Sequence, residues 1–315
     1  MVILIIVVSI NVLLMVLAAT LVALYFHGLS GMIERKAGIP RPWSMVTSIA
    51  GTLILLFLMF WLIGSRVQSQ VQELGSLLPG MAGQAKSALE QSAIGGKILE
   101  AFSAGDGGGG KLASSVKRLF SSTFGLLGDL YIILFLGAFL TANPGVYKEG
   151  IIALVPPSGK SESRKTLNLL GHNLLNWLKG KIFSMAVVAG LTAGGLSIIG
   201  IPMVFALSII AGVLNFVPNF GPLLAMIPAV LVGFTQGGST ALAVAALYIF
   251  IQVLESNLIT PMVQKKLVHI PPAMIILGQL AVGARTGYLG IILATPIVLI
   301  IMTLVKELYV KKQKP

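Results

Sequence analysis

The sequence predicts an all-α polytopic membrane protein. Its expected parts are about five full transmembrane helices, two re-entrant or discontinuous helical hairpins, and an extracytoplasmic helical insert. Three observations carry the prediction. The 315-residue chain is 56% hydrophobic and 10% charged, with a mean hydropathy of +0.95, the composition of a chain whose solvent is a bilayer. Several apolar runs approach the roughly 20 residues that a helix needs to cross a hydrocarbon core. Two further apolar units, 204–234 and 272–305, are interrupted midway. Runs 204–216 and 223–234 reach only about 18–20 Å as helices, against a core of about 30 Å.

Residues 2–26 form the first apolar segment, in which Ser9 and Asn11 leave open a break or hairpin. Met1 to Ile10 lack a basic lead and a small-residue cleavage site, so they read as membrane segment and not as a removable signal. The connector 27–42 carries Arg35, Lys36 and Arg41, and Pro40 and Pro42 stop a helix before the next span, 43–65. After Arg66 a polar, largely helical stretch runs to about residue 122, interrupted by Pro79 and by the glycine-rich loop 105–110. A third span covers 123–142 and ends at Asn143-Pro144. The basic connector 143–181 holds an amphipathic helix from about Ser163, with Asn168, His172 and Asn176 on one face. A fourth span, 182–199, carries Gly190 and Gly194 at a spacing suited to close helix packing. The first interrupted unit follows, then a span at 239–256, a connector with Lys265, Lys266 and His269, and the second interrupted unit. Three regions result: N-terminal transmembrane segments 1–65, the insert 66–122, and a transport core 123–315.

Lysine and arginine gather in 27–42, 143–181, 257–271 and 306–315, which the positive-inside rule assigns to the cytoplasm. Alternating spans then put 66–122 outside and the C-terminus inside, in a bacterial-type inner membrane. The count closes when both interrupted units are hairpins, the preferred arrangement, or when both cross fully with compensating parity elsewhere, and 288–305 is long enough to span by itself.

The break in the first unit, Asn215-Phe216-Val217-Pro218-Asn219-Phe220-Gly221-Pro222, is the leading candidate for a solute or ion pathway. Pro218 and Pro222 remove amide donors, and irregular backbone at membrane depth survives where protein or a polar cavity satisfies it. Asn215 and Asn219 offer donors and acceptors without the cost of a charge, either as caps on the two half-helices or as solute contacts. The second break brings Arg285 and Gly287. Ionisable residues in apolar runs are costly, which singles out Asp129, Glu255 and Arg285. Gln252 and Glu255 fall on one helical face, with Asn257 beyond. Glu255 reads either as a surface partner for lysine or as a coupling group, and Arg285 as a gate or its ionic partner. Asp129 is a cation or proton ligand or a headgroup-level residue, and His172 a proton relay or part of a solvated face.

Other classes find no support. The charge of +12 comes without a nucleic-acid motif, and the basic residues sit in loops beside spans. His27, His172 and His269 are scattered, there is no cysteine, and no zinc, nucleophile-elbow or phosphate-loop motif occurs. The expectation is no enzyme, no cofactor and no metal.

The blocks Leu214 to Leu223 with Ile227-Pro228, Ile251 to Glu255 through Pro261, and Gly287 to Pro296 resemble the autoinducer-2 exporter family, the PerM-like permeases. The match covers about 123–315, and 1–122 match in layout alone. The resemblance implies a homo-oligomeric permease that exports a small polar solute such as the quorum-sensing signal autoinducer-2, or, as in other proposed activities of the family, exchanges sodium or another monovalent cation for protons. Alternating access through the two breaks is the expected mechanism, with Glu255 and Arg285 as a coupling or gating pair. The rival reading from a different class is a non-transporting membrane scaffold acting through 66–122.

Overall fold

The computed structural model describes residues 2–54, 57, 123–264 and 270–313. The insert 66–122, with Pro79 and the glycine loop, lies outside the described residues, as do Lys265, Lys266 and His269. Among the described residues every regular element is helical.

Helix α1 is Val2–Ala37, continuous through Ser9 and Asn11 and on through most of the expected connector. It stops at Gly38, whose φ of +66° is a left-handed terminator. Its last turn carries Arg35 and Lys36, where the helix dipole favours cations, and Arg35 Nε donates to the Gly31 carbonyl at 2.9 Å. Helix α2 covers 41–54, with Pro42 in its first turn, where a missing amide costs nothing. Helix α3, Thr123–Ala142, matches the expected third span. The expected connector then departs from expectation: Pro144 starts helix α4, Pro144–Ala153, at 87° to its predecessor.

After a 3-10 turn at Pro157–Gly159 comes helix α5, Lys160–Ile199. The amphipathic helix and the fourth span, expected as separate pieces, are thus one helix of 40 residues. No proline occurs between 158 and 201, and a polar half followed by an apolar half is a change of surroundings that does not interrupt backbone hydrogen bonding. Helices α6 (Val204–Leu214), α7 (Phe220–Phe234) and α8 (Gly238–Leu254) follow, then a π-turn at Glu255–Ile259 and helix α9, Thr260–Gln264. The chain closes with α10 (Pro272–Thr286), α11 (Tyr288–Leu308) and a 3-10 turn at Val310–Lys312.

Four stretches among the described residues are long and apolar enough to cross a bilayer: Ile10–Ala37, Pro157–Ile199, Gly238–Met262 and Tyr288–Leu308. Counting the bent pair α3–α4 as one span makes five. Helices α6 and α7, at 11 and 15 residues, fall short, as the interrupted pattern required. The protein is a polytopic, helical membrane protein.

The chain divides into two compact units. Unit 1 comprises Met1–Ile54, Leu127–Lys181 and Met262–Pro315. Within it α1 packs on α11, and Gly137 of α3 meets Val22, where an added Cβ would stand 3.0 Å from Cγ1. Helices α10 and α11 fold back on each other about Gly287, at φ +65° and ψ −140°. Their seam is closed by glycines: a Cβ on Gly278 would come within 2.7 Å of Val298, and one on Gly283 within 2.5 Å of Ile291. The arms are unequal, since α11, at 21 residues, can cross a bilayer and α10, at 15, cannot.

Unit 2 comprises Leu55–Leu126 and Ile182–Pro261. Its described core takes Val188 and Leu196 from α5, Leu207 and Ala211 from α6, Ala225, Ala229 and Val232 from α7, and Val244, Tyr248 and Ile251 from α8. Glycine again sets the approach of helices: a Cβ on Gly195 would stand 2.4 Å from Leu247 Cδ1, and one on Gly233 2.9 Å from the Ala241 Cα. Gly190 and Gly194, singled out in the sequence for close packing, face open space within the chain. The contact falls one residue away, on Gly195, because the helical face turned to α8 is the one that bears Val188 and Leu196.

Candidate functional site

In unit 2 the helix breaks after Leu214 and resumes at Phe220. Asn215 keeps helical angles, Asn219 is forced to φ +67°, and the Gly221 amide bonds back to the Val217 carbonyl at 3.0 Å. The turn is so tight that a Cβ on Gly221 would lie 1.8 Å from the Leu214 carbonyl oxygen. Glycine is therefore obligatory there, for want of space and not for a special φ. Pro218 prevents helical continuation, and Pro222 is accommodated in the first turn of α7.

The break sends its two asparagines to different environments. Asn219 is exposed, and its side chain makes no capping bond. Asn215 is 1% exposed and points into the protein, where its Nδ2 donates to Ser184 Oγ at 3.1 Å. Ser184, on α5, donates in turn to Glu255 Oε1 at 3.0 Å. All three side chains are buried. The donors run in one direction, from amide to hydroxyl to carboxylate, so both bonds form together. Lys181, one turn before Ser184 on the same helix, is buried as well.

Glu255 opens the π-turn Glu255–Ile259, a widened stretch with a local cause. Pro261 has no amide to give, and its ring crowds the carbonyl four residues earlier, at Asn257, so the helix approaching it loosens. Two departures from α-geometry, the gap at 215–219 and the wide turn at 255–259, are thereby joined through one serine. Between Ile182 and Pro261 Glu255 is the single Asp, Glu, Lys, Arg or His.

The remaining expected residues disperse. Gln252 donates to Ser256 Oγ at 3.2 Å and Asn257 to the Val253 carbonyl at 2.9 Å, both in exposed settings. Asn257, two residues on from Glu255, lies on a different face of the helix. Arg285 and Gly287 belong to unit 1, where Arg285 is exposed in the last turn of α10 and Gly287 makes the hairpin turn. Asp129 of α3 accepts a hydrogen bond from the Tyr288 hydroxyl at the start of α11, a contact within unit 1. His172 Nε2 pairs with Asn176 Nδ2 at 2.9 Å on an exposed face of α5, and Asn168 accepts from Lys148 Nζ at 2.6 Å. One turn away, Arg164 grips both carboxylate oxygens of Glu149. That hydrogen bond holds the Glu149 carboxyl below the usual range and raises the guanidinium correspondingly.

Ser184 was missed by sequence reading. An isolated serine in an apolar helix carries no periodic or motif signal, and its meaning comes from two partners 31 and 71 residues away.

Residues 1–310 match the family described as AI-2E family transporter. YueF of Bacillus subtilis is 27% identical over 190 residues, 59% of this chain and 52% of that protein. The AI-2 transport protein TqsA of Escherichia coli K12 is 26% identical over 192 residues, 60% and 53% of the two chains. PerM of the same organism is 26% identical over 196 residues, 61% and 56%. The chain thus spans about half the length of the curated relatives it matches.

Proposed function

As the chain belongs to the AI-2E transporter family, we propose that it is a bacterial inner-membrane permease that moves a small polar solute by alternating access past the buried chain Asn215–Ser184–Glu255. The observation that carries this reading is the convergence of that hydrogen-bonded chain with two stretches of non-α backbone in an otherwise apolar unit. Burying a carboxylate, an amide and a hydroxyl costs several kcal/mol unless all are paired, and a core that needed only stability would use apolar groups there. A gap in a helix and a widened turn also supply backbone carbonyls that a desolvated solute can exchange for its water.

The solute we favour is autoinducer-2, the substrate in the name of TqsA. Glu255 favours one second reading, exchange of a monovalent cation for protons, because a carboxylate in a low-dielectric site binds a cation or a proton in turn. Purified protein in liposomes under an imposed pH gradient separates the two when labelled autoinducer-2 and sodium are followed side by side. Glu255→Gln keeps the acceptor for Ser184 and removes the charge. Sodium flux in the wild type that ceases on this substitution, with no efflux of autoinducer-2, favours the exchanger, and efflux of autoinducer-2 that survives it favours the permease. Fluxes of both that match wild type would remove Glu255 from the transport route.

A further inference from the structure

Among the described residues of unit 2, two buried hydroxyls lack a protein partner: Thr192 Oγ1, on a residue 1% exposed, and Tyr248 OH, on one 6% exposed. Neither was singled out by the sequence, and neither belongs to the Asn215–Ser184–Glu255 chain. Their positions are related to it. Thr192 lies eight residues beyond Ser184 on α5, and Tyr248 seven residues before Glu255 on α8, in each case on the same helical face.

The register between the helices is fixed at two points, Ser184 against Glu255 and Gly195 against Leu247, which makes α5 and α8 antiparallel along this seam. From the first of these, Thr192 stands about 12 Å up one helix and Tyr248 about 10.5 Å along the other, and from the second about 4.5 and 1.5 Å, so their backbone positions lie within about 3 Å of one level. Val188, Leu196, Val244 and Ile251, which flank them by one turn, all belong to the packed core of unit 2.

A buried hydroxyl without a partner is costly, and two in one seam double the cost for no gain in packing, since Val and Phe have nearly the same shapes. We propose that Thr192 and Tyr248 together bind water, forming a hydrated station in the α5–α8 seam beyond the Asn215–Ser184–Glu255 chain. Water is the ligand that suits them. It donates to one hydroxyl and accepts from the other, and it is small enough to enter between packed helices. The station rests on the transport reading for its purpose, which is to give a desolvated solute a second set of exchangeable hydrogen bonds on its way past Glu255. The site itself is independent of that purpose.

Hydroxyl-radical footprinting of the protein in nanodiscs tests this without a transported solute, because radicals made from bound water label the side chain that holds it. Tyr248 is expected to be oxidised well above Phe250, its exposed neighbour on α8, after correction for intrinsic reactivity. Thr192→Val should reduce the Tyr248 label to the Phe250 background, and Thr192→Ser, which restores the hydroxyl, should recover it. Tyr248 labelling at background in the wild type, or labelling indifferent to Thr192→Val, would overturn the proposal. Glu255→Gln separates the two ideas: autoinducer-2 and sodium fluxes that survive it remove Glu255 from the transport route, while the footprint still decides the water site.

Discussion

Ser184 makes the most demanding prediction, since it holds both ends of the buried chain. Ser184→Ala removes the hydroxyl that donates to Glu255 and the oxygen that accepts from Asn215. In a soluble core the first loss is worth about 1.5–3 kcal/mol, because its acceptor is a carboxylate, and the stranded amide adds about 1–3. In a bilayer the unfolded reference also finds partners, and measured interhelical hydrogen bonds average about 0.6 and peak near 1.7 kcal/mol. Weighing the two, the expected loss is about 2 kcal/mol, roughly thirtyfold in the folding equilibrium. The assay is unfolding in mixed micelles with increasing SDS, followed by circular dichroism. Ser197→Ala, at an exposed position of the same helix, is the control and should stay within about 0.5 kcal/mol of wild type. A double-mutant cycle with Asn215→Ala should return a coupling of about 1 kcal/mol, because each substitution strands the other partner. A Ser184→Ala loss no larger than the control, or additivity in the cycle, would refute the claim that the three side chains act as one buried unit.

Gly221→Ala should destabilise by about 3 kcal/mol or more or prevent folding, since its Cβ would lie 1.8 Å from a backbone carbonyl. Gly190→Ala, into open space on α5, should be neutral or stabilising by up to about 1 kcal/mol, and the same SDS titration reads both. The Glu149–Arg164 pair predicts a pH dependence whose sign follows from the lowered carboxyl. A carboxylate with a depressed folded-state value stabilises above its unfolded value, near 4.3, and loses that contribution as pH falls through the lower one. The melting-temperature advantage of wild type over Glu149→Gln should therefore be present at pH 7 and be lost on acidification below the unfolded value. The pair is exposed, so 1 M salt should reduce the advantage at neutral pH, and an advantage that grew with acidification would contradict the assignment.

What could be read directly concerned solvent and rhythm. Apolar runs, prolines and glycine turns gave the membrane environment, the long helices and the two interruptions, because each of these is a local response of backbone and side chain to hydrocarbon. Glu255 and Asn215 stood out for the same reason: a polar group in an apolar run is costly wherever the run ends up. The continuity of α5 was obscured by its change from polar to apolar composition, which alters what a helix touches and leaves its hydrogen bonds unchanged. Tertiary structure alone decided that Asn215 turns inward while Asn219 faces out, and that Ser184 joins Asn215 to Glu255 while Gln252 and Asn257 bond to Ser256 and to the Val253 carbonyl. Those outcomes depend on which helical faces meet and at what register, and packing of elements distant along the chain sets both.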